Sequence, residues 1–263
     1  EHFENMFEEL YINSIQTKNE SATLYAKAEI LLLEAIGLND FNPSQEAVNI
    51  KNFKESFGVS GRLDAEYYQP KFEEVMKHIA SQNHATLKDI VAIQKSIEPG
   101  SDIYSEEGLP FLRVADYNKF GITDPEKKLS YTFCNENAEL IHKLKPKKGT
   151  ILFSKDGSVG TAYMLRKDEE LITSGAILHL NVRDKKKVIP EYLTLALNSQ
   201  IVKMQSERDA GGSIILHWRI SEIENVIVPI IPIAKQKEIA ILVEESFRLK
   251  KQSEHLLEVA KMA

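Results

Sequence analysis

The chain has 263 residues, 43% hydrophobic and 27% charged, with 12 Gly, 9 Pro and a formal net charge of −6. That profile belongs to a folded globular protein long enough for one large or two small cores, and it excludes collagenous, low-complexity and disordered classes. No apolar run approaches the roughly 18 residues of a membrane span, and the single cysteine, Cys134, excludes an internal disulfide or a cysteine zinc site and fits a reducing, cytoplasmic setting.

The first residues, Glu1-His2-Phe3-Glu4, show neither a basic n-region nor an apolar h-region, so no signal peptide is expected. The missing Met points to processing or excision from a longer chain. Next comes a long helix whose seam, Phe7, Leu10, Ser14, Thr17, Ser21, Leu24, Ala28, Leu31, Ala35 and Leu38, keeps the alternating 3 and 4 spacing of a coiled coil. Gly37, with Asn39 and Asp40 behind it, supplies a stop. Asn42-Pro43-Ser44 opens a linker. Residues 64–80 read as a helix with Pro70 near its start, and Thr86 reads as the cap of a short helix over 87–93.

Strand patterns then dominate: 110–114, 150–154, 159–165 after a turn at Asp156-Gly157, and 176–182. Pro190 opens a helix expected to reach about Ser206. Gly211-Gly212-Ser213 reads as a flexible loop and 225–228 as a last strand. After Pro229-Ile230-Ile231-Pro232 a second long helix runs to Ala263, with Ile239, Leu242, Ser246, Leu249, Ser253, Leu256 and Ala260 on the same seam spacing.

The two long helices look like copies. At an offset of 232, Leu10, Ser14, Lys18, Ser21, Leu24 and Ala28 match Leu242, Ser246, Lys250, Ser253, Leu256 and Ala260. Small residues recur every seven in both, which lets helix axes approach closely and favours a tight antiparallel pair. The expected fold class is α+β: one globular α/β domain flanked by two long helices that form an antiparallel coiled coil. The boundaries expected are 1–40 for the first helix, 41–232 for the domain and 233–263 for the second helix.

Charge is uneven. Residues 1–110 hold 9 Lys/Arg against 19 Asp/Glu, residues 111–218 hold 17 against 13, and residues 219–263 hold 7 of each. The middle is therefore basic relative to its flanks, with runs at Lys143, Lys145, Lys147, Lys148 and at Arg183, Lys185, Lys186, Lys187. An acidic chain can still bind a polyanion through one positive face.

No catalytic constellation is visible. The seven histidines show no metal-ligand spacing, no phosphate-binding Gly-x-x-x-x-Gly-Lys-Ser/Thr loop is present, and Lys155 to Gly160 joins two strands and reads as a hairpin. Asp116 with Glu126-Lys127-Lys128 mimics a two-carboxylate nuclease site, but Pro125 and its polar setting read as loop. No cofactor or metal is expected. Trp218 reads as core.

Four stretches resemble the DNA-specificity (S) subunits of Type I restriction–modification systems. They are Leu109 to Asp116, Lys148 to Gly160, Pro190-Glu191-Tyr192-Leu193, and Gly212-Ser213 followed by Ile227 to Ala240. In the last, Lys235 stands before Gln236 where the family usually has an acidic residue. The resemblance implies one target-recognition domain with its two flanking helices, a half-subunit or the C-terminal half of a two-domain subunit. It implies a non-catalytic role: binding one half of a bipartite double-stranded DNA target, and docking the modification (methyltransferase) subunits and the restriction (translocase/nuclease) subunit. A homodimer through the long helices is a further expectation, and no membrane partner is expected.

Expected DNA-contacting residues are Arg113, Asp116, Tyr117, Asn118, Lys119, Ser154, Lys155, Ser158, Arg208 and Ser213, polar or cationic loop residues suited to base edges or phosphates. The expected seam is Leu10, Ser14, Ser21, Leu24, Ala28, Leu242, Ser246, Leu249, Ser253 and Leu256. The helix from Asn13 to Gly37 would span roughly 37 Å, near one turn of B-DNA. Its outward residues Glu20, Lys27 and Glu29, with Lys237, Arg248 and Lys251, would dock the modification subunits. Two alternatives stand beside this reading: the recognition domain of a fused restriction–methylation enzyme, and a coiled-coil protein-interaction module without DNA binding.

Overall fold

The structure, a computed structural model, describes residues 2–211 and 214–262. In chain order the helices are α1 (His2–Ala35), α2 (Phe57–Ser60), α3 (Pro70–Ala80), α4 (Leu87–Ile90), α5 (Tyr131–Glu136), α6 (Ala138–Leu144), α7 (Pro190–Leu197), α8 (Gln200–Asp209), α9 (Ile220–Ile223) and α10 (Ile233–Met262). The strands are β1 (His84–Thr86), β2 (Val91–Lys95), β3 (Tyr104–Ser105), β4 (Leu109–Leu112), β5 (Tyr117–Asn118), β6 (Gly121–Ile122), β7 (Lys128–Leu129), β8 (Ile151–Ser154), β9 (Ala162–Met164), β10 (Ile172–Thr173), β11 (Ile177–Val182) and β12 (Ile227–Pro229). Two compact units result: residues 1–40 with 232–263, and residues 41–231.

In the first unit α1 and α10 pair antiparallel. Ser14 meets Ser253, and seven residues on, Ser21 meets Ser246. Each contact is a buried hydrogen-bonded layer. The Ser253 hydroxyl donates to the Ser14 carbonyl at 2.8 Å. Ser21 and Ser246 donate to each other's carbonyls at 2.7 and 2.8 Å. A hydroxyl reaches the backbone of a facing helix only where both side chains are small, so the serines set both the close approach and the register. Ser14, Ser21, Ala28, Ser246, Leu249 and Ser253 are buried, and Leu10, Leu24, Leu242 and Leu256 are half-buried along the same seam. The Tyr25 and Phe247 rings meet edge to face at 6.3 Å. Gly37 ends α1 at φ 65°, a left-handed turn that closes with the Leu38 amide on the Leu33 carbonyl at 2.8 Å.

The second unit is built on a four-stranded antiparallel sheet, β2-β11-β8-β9. Every residue of β8 is buried, because both faces of the sheet are covered. By strand alternation Leu152 and Ile177 share one face, packed with Leu112, Tyr117, Leu165 and Leu171. Phe153 lies on the other face, with its ring 5.8 Å from that of buried Trp218. A second mixed sheet, β10-β4-β7-β3, packs Phe111, Leu129 and Ile172 against Ile141 and Leu144 of α6. Two-stranded pairs β1-β12 and β5-β6 complete the unit.

Several local expectations differ. The helix expected over 64–80 is a 3-10 turn, Ala65–Tyr68, and then α3, parted at Gln69, whose backbone is extended before Pro70. The helix expected over 87–93 stops at Ile90, because Val91 to Lys95 pair with β11 as β2. The helix expected over 190–206 divides at Asn198-Ser199. The Asn198 side chain leaves the helix to bond both backbone groups of Ala162 on β9, at 3.0 and 2.8 Å, and Ser199 is extended. Helices α5 and α6 fall where no element is expected. Ser130 starts α5 by accepting the Phe133 amide at 3.3 Å.

Candidate nucleic-acid interface

The expected DNA-contacting residues come from three separate stretches, and the fold joins them through loops of the globular unit. Arg113 ends β4 and precedes a single 3-10 turn, Val114–Asp116. Its guanidinium bonds both Asp116 carboxylate oxygens at 3.1 Å and reaches Glu126 at 3.6 Å. A cation therefore sits between the two carboxylates that mimic a nuclease pair. Among the described residues no group of three potential metal ligands occurs. Asp116 is buried and caps the turn through the Arg113 amide at 2.8 Å. Tyr117 is also buried. Its hydroxyl donates to the Thr161 carbonyl at 3.1 Å, joining this turn to the β8–β9 loop, and burial pushes its phenol well above the ordinary tyrosine range. Asn118 is exposed with its side-chain oxygen on the Phe120 amide at 2.8 Å, and the Lys119 ammonium lies 5.0 Å from the Phe120 ring.

The β8–β9 loop supplies the next group. Ser154 is fully buried, donating to the Ser158 carbonyl and accepting the Thr161 amide at 2.9 Å. It shapes the loop from inside, whereas Ser158 is exposed. Lys155 pairs with Asp156, whose other oxygen is 2.9 Å from His217 Nδ1. Residues 216–218 dock here: the Trp218 amide bonds the Lys155 carbonyl at 2.7 Å, and the Gly157 amide bonds the Leu216 carbonyl at 2.9 Å. Gly211 and His217 close the loop on each other, at 3.1 and 2.7 Å. Beyond that closure Ile214 is 95% exposed. Ser213 lies outside the described residues.

Arg208, at the end of α8, binds the Asp209 carboxylate at 2.7 and 3.1 Å and lies 5.1 Å from the centre of the Tyr67 ring. Burial acts against its charge, and the Asp209 partner more than offsets that. Arg62 approaches the same ring at 4.6 Å. Arg62 also holds the Asp64 carboxyl below the ordinary carboxylate range by hydrogen bonding to it. Arg62, Tyr67, His217 and Arg219 are absent from the residues expected on sequence. The visible signal is Arg62-Leu63-Asp64 followed by Tyr67-Tyr68, aromatic residues interleaved with charge just after the linker.

One electrostatic pattern runs through all of these loops. Five of the candidate cations have a carboxylate beside them: Arg62 with Asp64, Arg113 with Asp116, Lys155 with Asp156, Arg208 with Asp209, and Arg219 with Glu222. Such pairs hold guanidinium and ammonium groups in fixed orientations. Where they are exposed they contribute only about 0–1 kcal/mol, so a phosphate can replace the carboxylate at little cost. The arrangement suits contact with a polyanion.

The family described as "Type I restriction modification DNA specificity domain" matches residues 83–259, most of the chain. The chain belongs to this family. The match takes in the β8–β9 loop, the 211–218 loop and nearly all of α10. No curated protein matches the chain. Solved structures similar to it include the S subunit of the Type-I restriction-modification system from M. genitalium, at 19% identity and TM-score 0.45 over 60% of this chain and 37% of that one. The HsdS subunit from Thermoanaerobacter tengcongensis matches at 14% identity and TM-score 0.44 over 98% and 57%. The type IIG restriction endonuclease BpuSI matches at 12% identity and TM-score 0.48 over 72% and 32%. The chain thus spans between about a third and a little over half of the length of these proteins. Among the described residues no helix is long and apolar enough to cross a membrane.

Proposed function

We propose that the chain is a DNA-recognition component of a Type I restriction–modification system, binding one half of a bipartite double-stranded target. Residues 41–232 act as the target-recognition domain, and residues 1–40 and 233–263 as the spacer. The observation that carries this is the convergence of Arg113, Asn118, Lys119, Lys155 and Ser158 on adjoining loops of a domain in the specificity family. Exposed Asn118, Ser158 and Arg219, with half-buried Lys155 and Lys119, are the groups best placed to meet DNA. Buried Asp116, Tyr117 and Ser154 hold the loops in shape.

The chain itself catalyses nothing in this reading. The outward faces of the paired helices, with Glu20, Lys27, Glu29, Lys237, Arg248 and Lys251, dock the modification subunits, and the restriction subunit joins through them. Two copies can also associate through the long helices, each α1 taking up the other copy's α10 in place of its own.

The test is to map methylated positions in host DNA with and without the gene. Loss of one methylated motif on deletion is the expected result, and an unchanged methylome overturns the reading. Binding of the purified chain to duplex DNA should weaken steeply with salt, as phosphate contacts release counterions.

A further inference from the structure

We infer that Arg62 is a positioning residue for the 210–219 loop, holding both of its ends with one guanidinium and thereby sharpening sequence discrimination. The inference rests on the reading of these loops as the DNA-contacting ones. Asp209 is the last residue of α8, and α9 starts at Ile220. Arg62 Nη1 donates to the Asp209 carbonyl at 2.9 Å and lies 3.8 Å from the Glu222 carboxylate on α9. The carbonyl end of a helix carries unpaired acceptors and partial negative charge, so a cation there is favourable.

Arg62 is itself held in place. Its Nε and Nη2 grip Asp64 at 2.9 and 2.6 Å, and its own carbonyl accepts the Tyr68 hydroxyl at 2.9 Å. Its planar group stacks on Tyr67, whose ring Arg208 also approaches. Only a fork of donors can serve Asp64 and the Asp209 carbonyl together. A lysine ammonium keeps the charge without that geometry. The loop otherwise leans on its Gly211–His217 closure and its docking to 155–157, so losing the clamp frees its ends while the sheets stay intact.

The experiment compares the full chain with Arg62→Lys and Arg62→Gln. Hydrogen exchange is followed at the Gly211, His217 and Trp218 amides, with the β11 amides of Leu178 and Leu180 as an internal reference. In parallel each protein selects from a random-sequence duplex pool at fixed salt, and the retained duplexes are sequenced. Losing a charge-assisted hydrogen bond predicts about tenfold or greater acceleration of exchange in the loop, with β11 unchanged, in both variants. The selected motif should lose definition, while total retained duplex falls only about twofold to threefold, since the non-specific phosphate contacts survive.

Unchanged exchange and an unchanged motif in both variants overturn the inference. So does full rescue by Arg62→Lys, which would reduce the role to charge alone. If Arg62→Gln loses β11 protection as well, the Arg62→Lys result decides. If the unmodified chain enriches no motif, the DNA reading fails, and the exchange measurement still judges the clamp.

Discussion

In the helical pair the buried hydroxyls are interchangeable. Ser14, Ser21, Ser246 and Ser253 occupy two similar layers, in which Ser21, Ser246 and Ser253 each donate to the backbone of the facing helix. In the globular unit several buried polar side chains each make a contact of their own kind. Asn198 serves Ala162, Gln205 binds both backbone groups of Ile227 at 2.9 Å, Tyr192 donates to the Pro229 carbonyl at 2.6 Å, and His179 lies 2.9 Å from the Thr173 hydroxyl. A repeated device sets spacing and can recur elsewhere in the same form. A set of unique contacts builds one particular surface and tolerates change only in the loops it supports.

The contrast can be broken or sharpened with two probes. Trp218 is the single tryptophan of the chain and lies in the globular unit, so its fluorescence reports that unit; far-ultraviolet ellipticity is weighted toward the long helices. The largest effect is expected for Gly108→Ala. A Cβ there would stand 1.9 Å from the Leu129 carbonyl oxygen, so β4 and β7 must separate. The Trp218 transition should lose about 4 kcal/mol, and a loss below about 1 kcal/mol in denaturant titration would contradict the packing described.

Next comes acid. Burial lowers His179 from 6.5 to about 4, so the folded state holds this imidazole neutral while the unfolded chain protonates below 6.5. The unfolded state binds the extra proton, and stability must fall as pH drops from about 6.5 to 4, by about 3 kcal/mol from this group. His179→Gln should flatten that segment of the stability–pH curve, and an identical slope in the variant would count against it.

A middling effect is expected at the seam. Ser21→Leu forces a large side chain into a layer built for hydroxyls and should cost about 1–3 kcal/mol in the helical signal, with the Trp218 transition unmoved. An equal shift in both probes would show that the two regions unfold as one, and the contrast would fail. The smallest effect is Lys250→Ala on the outer face, where the Glu254 partner is exposed. Its removal should change the helical transition by less than about 0.5 kcal/mol, and less still at high salt.

Much of the first region is legible from residue order. The seven-residue recurrence of small side chains and the stop at Gly37 concern neighbours within a turn or two, and the copy at offset 232 is the same local pattern met again. The β8–β9 hairpin around Asp156-Gly157 is legible for the same reason. In the candidate interface the residue types are legible and their exposure is not. Asp116, Tyr117 and Ser154 look like solvent-facing loop residues in the chain, yet each is buried by a partner elsewhere in the fold or across its own turn. Arg62 escapes notice because the Asp209 carbonyl it serves lies 147 residues away.

The order of residues by itself determined the paired long helices, their register of small side chains and the mixed α+β middle. These follow from periodicity and backbone preferences acting over a few residues. The tertiary structure alone decided that Asn198 cuts one helix into two, that Val91 to Lys95 leave a helix to join a sheet, and which charged loops meet. Those outcomes depend on hydrogen bonds and burial between segments far apart in the chain, where a side chain's partner is set by the fold and not by its neighbours.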